Sequence, residues 1–237
     1  MPNIILNENE AFGNTNYEVV RALLQMVDVN MMAAMDLPSF STRQCVIVPA
    51  GDVPICAKVG EQHFIYLKTK DNFWCQWVYQ FAHEYCHHLI DGSLSGEWSD
   101  LLWFEETICE LSSLYNLNRM VGFCMVNGLQ VYASSVEGYL NNLLSKNKDT
   151  YLLSANGGWY KQYEESLKFK QYQRDLYNAM AVVMYPLFMD NPRLWKMILN
   201  IGDIRSWHSL DDLFSHLEAT ADGSYSESLS RLRWMFS

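Results

Sequence analysis

The run His83-Glu84-Tyr85-Cys86-His87 sets two imidazoles four positions apart, with a carboxylate directly after the first. On an α-helix, positions i and i+4 share a face, so His83 and His87 can offer ring nitrogens to one metal ion. Glu84 then projects close to that ion without having to bind it. In this arrangement two histidines hold zinc while a glutamate takes a proton from zinc-bound water. The chemistry it implies is metal-assisted hydrolysis. The pattern is short, so a chance HExxH in a helical protein of unrelated function stands beside that reading.

A catalytic zinc takes three protein ligands and keeps a fourth position open. The third ligand therefore belongs on a downstream element that folds back against the motif helix. The stretch Trp103-Phe104-Glu105-Glu106-Thr107-Ile108-Cys109-Glu110-Leu111 supplies three carboxylates, and eighteen residues separate His87 from Glu106. The bland reading is a solvated helical face, although like charges four apart repel unless a cation is near. HExxH followed after eighteen residues by Glu resembles the gluzincin metallopeptidases of the aminopeptidase N and leukotriene A4 hydrolase type. Thermolysin is similar, with a slightly longer gap. The stretch Asp100-Leu101-Leu102-Trp103-Phe104-Glu105-Glu106 resembles that group's D-L-W-L-N-E-G. This resemblance implies His83, His87 and Glu106 as ligands to Zn2+ and Glu84 as general base. Glu105 is the alternative ligand if the register differs, because neighbours on a helix point about 100° apart. Glu110 stands where such enzymes carry a carboxylate that accepts the other ring N–H of a ligand histidine.

Peptide hydrolysis also needs a donor for the oxyanion. The same resemblance implies a tyrosine some 65 to 70 residues past the glutamate, in a stretch like Y-x-K-G-A. Leu176-Tyr177-Asn178-Ala179-Met180-Ala181 is similar in position and partly in sequence, which makes Tyr177 the candidate. The alternative is a tyrosine that only packs, one of 14. His208 and His216 are weaker candidates for the same part. His88 shares a face with Glu84; one reading has it orient the site or contact substrate, and the preferred one is an exposed helix-end histidine favoured by the negative end of the helix dipole. The G-x-M-E-N signature that binds a free amino terminus has no counterpart upstream, so the resemblance does not extend to aminopeptidase specificity. The layout is also similar to the small ImmA/IrrE-type metallopeptidases. His63 to Lys68 is expected to be an edge strand able to pair with an extended substrate.

These residues need elements to carry them. Apolar spacing predicts a helix from Tyr17 to Met35, ended by Leu37-Pro38. Strands are expected at Cys45 to Val48, Val53 to Val59 and His63 to Lys68, with turns at Pro49-Ala50-Gly51-Asp52 and Gly60-Glu61. Asp71-Asn72 is the expected N-cap of a helix from Phe73 to about Ile90, stopped by Asp91-Gly92. A Gly- and Ser-rich loop leads to a helix near Asp100 to Met120. Further helices are expected at Cys124 to Ser145, Lys161 to Met189, Arg193 to Asn200, Leu210 to Thr220 and from Ser226, with a break at Asn156-Gly157-Gly158. The fold class expected is α+β and zincin-like. A small N-terminal sheet and the active-site helix form a lobe over about 1–91, followed by a mostly helical lobe over about 92–237, within one domain.

Composition is enough to bury a sizeable core: 49% of the 237 residues are hydrophobic and eight are Trp. A net charge of −10 argues against nucleic-acid or anionic-membrane partners. No run of apolar residues is long enough to suggest a membrane span. The first residues show no basic stretch followed by an apolar one, and the six cysteines are scattered without CxxC pairing, so buried free thiols and a cytoplasmic location are expected. The function expected is a zinc-dependent peptidase acting on a peptide or protein substrate. The alternative is a zincin-derived regulatory or binding module with little turnover, its interface drawn from the many Trp and Met residues.

Overall fold

The computed structural model describes residues 4–38, 44–60, 62–90, 100–146, 151–169, 173–202 and 209–237. The fold class is α+β. Four short strands precede or flank the helices: β1 (Ile4–Leu6), β2 (Cys45–Pro49), β3 (Ile55–Val59) and β4 (Gln62–Leu67). The helices are α1 (Tyr17–Met35), α2 (Trp74–Ile90), α3 (Leu102–Val126), α4 (Gln130–Ser145), α5 (Tyr160–Phe169), α6 (Arg174–Asp190), α7 (Ile198–Ile201), α8 (Leu210–Thr220) and α9 (Ser226–Met235). Among the described residues, no helix is long and apolar enough to cross a membrane. The chain divides into two compact units, one of Met1–Leu89 with Ser112–Asn142, the other of Ile90–Leu111 with Leu143–Ser237.

The first unit is built on a sheet of order β1-β2-β4-β3. β1 pairs parallel with β2, so β1-α1-β2 is a crossover unit, and β2 pairs parallel with β4. β3 lies antiparallel on the far side of β4. This corrects one expectation: the strand before the motif helix is interior, and the edge belongs to β3. The reason lies in the pairing: β4 is held in parallel by β2 and in antiparallel by the strand it follows directly in sequence. Strand alternation sends Cys45, Ile47, His63, Ile65 and Leu67 to a fully buried face, while Phe64 and Tyr66 are half-buried on the other. Apolar faces of α1 (Val20, Leu24, Val27, Met31) and α2 (Trp77, Phe81, Tyr85) complete this core, with Phe12 and Trp77 rings 4.8 Å apart.

Local signals explain where these helices begin and end. Asn16 caps α1 by accepting from the Val19 N–H, and Asp36 closes it in the left-handed conformation (φ 60°) before Pro38. Asp71 does not cap α2 as expected. It takes a left-handed φ of 49°, and its carboxylate accepts from the Asn14 N–H at 2.7 Å, tying the approach of α2 to that of α1. α3 runs on through Cys124 to Val126, beyond its expected end. The break comes at Gly128, whose φ of 74° a glycine adopts freely. The expected turn residue Glu61 and the expected stop and loop at 91–99 lie outside the described residues.

The second unit has an aromatic core. Trp103 stacks on Tyr160 at 5.4 Å, and Phe236 lies 4.9 Å from Trp159 and 5.7 Å from Phe104. The expected helix from Lys161 to Met189 is two, α5 and α6, and the stretch after it opens as a 3-10 helix (Pro192–Met197) before α7. Arg233 on α9 reaches Asp211 and Glu218 on α8 at 2.7 and 2.6 Å. Gly157 holds the predicted break with φ 79°, packed so closely that a Cβ there would stand 2.9 Å from the Trp234 carbonyl oxygen.

Candidate metal centre

The motif helix is fastened along its length, and each fastening is readable from helical geometry. Gln80 spans Lys68 at the end of β4, its carbonyl oxygen accepting from the Lys68 N–H at 2.9 Å and its amide donating to the Lys68 carbonyl at 3.2 Å. Eight residues on, the Nδ1 atoms of His88 and His63 lie 2.8 Å apart, one ring donating and the other accepting. Residues 80, 84 and 88 form one stripe at i, i+4, i+8, so the stripe carrying Glu84 is tied to both ends of β4. Eight helical residues rise about 12 Å and the five-residue step along β4 covers about 17 Å, which a helix lying antiparallel to the strand accommodates.

The neighbouring stripe of α2 faces α1. Tyr85 donates its hydroxyl hydrogen to Asp28 at 2.6 Å, both groups buried, and the Tyr85 ring stacks on His88 at 5.3 Å. Burial pushes the Asp28 carboxyl above the ordinary carboxylate range, and the Tyr85 hydrogen bond opposes that shift. Burial, reinforced by the nearby Asp28, drives the Cys45 thiol up to about 12. Cys45 is thus a packing residue rather than a nucleophile. A third stripe of α2 meets α3: Ser112 donates to the Ala82 carbonyl at 2.9 Å, and Ser113 to that of Tyr79 at 2.8 Å. Small hydroxyl residues at 112 and 113 let the two helix backbones approach and satisfy the polarity they bring.

α3 is one unbroken helix through Glu106, which stands six residues, or about 9 Å, before Ser112. Its register brings Glu106 to His83 and His87, where one nitrogen from each ring and one carboxylate oxygen lie within 4.8 Å of one another. The two rings are 5.2 Å apart, centre to centre. Two imidazoles and a carboxylate with mutually close donors can hold a metal ion. Among the described residues no other group of three His, Cys, Asp or Glu side chains is so placed.

The other candidates fall as follows. Glu84 is 6% exposed. Glu105 is wholly buried on α3 and does not join the cluster. Glu110, also buried, lies 3.3 Å from the Arg174 guanidinium on α6, within the second unit. Tyr177 is buried on α6, one turn past Arg174. His216 is half-buried on α8, and His208 lies outside the described residues. His88 is not the exposed helix-end residue expected: it is 2% exposed and bonded to His63. The correction has a simple cause, since the stripe it shares with Gln80 faces the sheet and not solvent.

Sequence reasoning passed over His63, Gln80, Ser112 and Ser113. For His63 a signal existed: it alternates with Ile65 and Leu67 on β4, and a histidine on a buried strand face needs a polar partner. Gln80 gave a weaker one, four residues before Glu84 on a stripe otherwise set for burial. Compared with protein-family models, with curated proteins and with solved structures, the chain matches none.

Proposed function

We propose that this chain is a zinc-dependent peptidase with a zincin-like core, a reading carried by the convergence of His83, His87 and Glu106 on one point. The two imidazoles and the carboxylate would hold the ion, leaving a position open for substrate or water. When bound, the ion supplies Lewis acidity that polarises a carbonyl and makes a water acidic near neutral pH. Glu84, following the first histidine, takes the proton of the attacking water and passes it to the leaving amine. Its enclosure between the two ties to β4 suits a proton carrier, because a carboxylate with few rotamers open to it transfers between fixed positions. Tyr177 is assigned by the resemblance to steady the oxyanion. Glu110, placed one turn beyond Glu106 and paired with Arg174, supports the carboxylate face of α3.

The substrate class proposed is an extended peptide or protein segment. β3 ends the sheet and runs antiparallel to β4, so its outer main-chain edge can add a strand by backbone hydrogen bonds. This moves to β3 the part expected of His63–Lys68. The test is metal analysis of protein purified without added zinc, followed by hydrolysis of a peptide library by wild type and Glu84→Gln. The reading expects about one zinc per chain in both proteins, with a loss of about 10²- to 10⁴-fold in turnover for Glu84→Gln. Zinc without hydrolysis in either would favour the non-catalytic binding module. Absence of zinc, with no stabilisation on adding it, would overturn the metal centre itself.

A further inference from the structure

We propose that the buried His63–His88 hydrogen bond is a positioning device for the metal centre, holding the last turn of α2 so that His87 keeps its donor geometry. The inference rests on reading His83, His87 and Glu106 as metal ligands. His87 lies three residues before α2 ends at Ile90. The final carbonyls of a helix lack intrahelical partners, and last turns open more readily than helix centres. The polar ties of α2 to its neighbours at Tyr79, Gln80, Ala82 and Tyr85 all precede His87. The tie at His88 follows it.

The form of this tie suits positioning better than packing. A pair of leucines would stabilise the helix end by non-directional packing, without fixing its rotation. Two imidazoles 2.8 Å apart, with planes at 83°, make a directional contact that fixes both the height of the last turn and its rotation about the helix axis. The Tyr85 ring, stacked on His88 at an interplanar angle of 26°, limits how far the imidazole can turn. One helical step connects His88 to His87, so rotation of one carries the other. Metal–nitrogen bonds of about 2.0–2.1 Å tolerate little such displacement. Cys45 sits opposite His63 across the β2–β4 register, yet among the described residues the pair joins no cluster of three close donors.

The experiment compares His63→Leu, His63→Asn and His63→Gln with wild type. An asparagine amide reaches the place of the imidazole Nδ1, whereas a glutamine amide overlays Nε2. Zinc affinity is read by competition with a chromophoric chelator, donor geometry by the visible bands of the cobalt-substituted protein, and fold by the melting midpoint without metal. His63→Leu is expected to weaken zinc about 10- to 100-fold and to alter the cobalt bands, while His63→Asn recovers most of both. Should His63→Leu fail to fold, the same contrast is read between Asn and Gln, with Gln behaving as the weakened variant. A lowered midpoint in His63→Leu or His63→Gln with wild-type zinc affinity and cobalt bands would reduce the pair to a structural contact and overturn this inference alone. Equal loss of affinity in Asn and Gln would overturn it too, since the Nδ1 bond would not be what matters. Absence of metal binding by wild type would remove the functional reading and this inference together.

Discussion

Asp28 and Tyr85 make the sharpest stability test of how α2 is held, because the two partners should respond in opposite directions. Tyr85→Phe removes one hydroxyl and leaves the ring packing unchanged, so the buried Asp28 carboxylate loses the donor 2.6 Å from its Oδ1. Leaving a buried acceptor without its partner costs about 1–3 kcal/mol, toward the upper end when the acceptor carries charge. For a chain of this size that corresponds to a fall of about 2–12 °C in melting midpoint. Asp28→Asn instead keeps an oxygen to accept from Tyr85 and removes the charge that burial disfavours. It is expected to equal or exceed wild type at pH 7. The pH dependence follows from the same cause. Burial raises the folded-state pKa of Asp28 above its ordinary 3.8, so from about pH 4 upward the folded protein binds this proton more tightly than the unfolded chain does. Stability contributed by this group is therefore full below pH 4, declines as pH rises toward the folded pKa, and is flat above it. Thermal unfolding by circular dichroism from pH 4 to 8 on the three proteins checks each point. If Asp28→Asn were destabilised as much as Tyr85→Phe, and the slope survived in it, the buried carboxylate would not be the source and the reasoning would fail.

Three further outcomes are expected. Gly157 and Gly158 share φ 79°, but a Cβ at 157 would meet the Trp234 carbonyl oxygen at 2.9 Å and one at 158 meets nothing. Gly158→Ala should cost about 1 kcal/mol for the left-handed backbone and Gly157→Ala distinctly more, measured by urea unfolding. Arg233, whose guanidinium is held charged by Asp211 and Glu218, joins α8 to α9. Arg233→Met should cost about 1 kcal/mol at low salt and less at 1 M salt, read from the same titrations. Glu110 is buried beside an exposed Arg174, so Arg174→Ala leaves a buried carboxylate short of its cation and should cost about 1–3 kcal/mol, whereas Glu110→Ala should also weaken zinc, read by chelator competition.

Helices with a stripe and a stop were legible in the sequence. Tyr17–Met35, Leu210–Thr220 and the helix from Ser226 stand where apolar spacing puts them, because that signal is local. β1 was not legible. Three residues, Ile4–Leu6, give too little alternation to read, and their partner Cys45–Ile47 lies some forty positions away. Strand order fails for the same reason: whether His63–Leu67 is interior or edge depends on whether β2 returns beside it, which no local pattern encodes. The end of α3 was misjudged because the signal used was apolar periodicity, which fades near Met120. The actual stop is conformational, at Gly128.

For the candidate site the sequence told more about the candidate ligands than about what holds them. HExxH and a carboxylate after eighteen intervening residues are one-dimensional patterns, so His83, His87 and Glu106 are legible as candidates without any geometry. Their supports are relations between elements. Ser112 matters only because it meets the Ala82 carbonyl, and His63 only because α2 lies antiparallel to β4 and sets His88 over it. The dipole of the helix taken alone favours His88 in solvent. The sheet decides otherwise, since residues 80 and 88 lie on one stripe and Gln80 is already bound to the main chain of β4. A helix anchored at Gln80 without bending must present His88 to the start of that same strand, and the polar residue waiting there is His63. The motif helix therefore takes its rotation from β4, and Glu84, midway along the anchored stripe, takes its direction from the same two bonds.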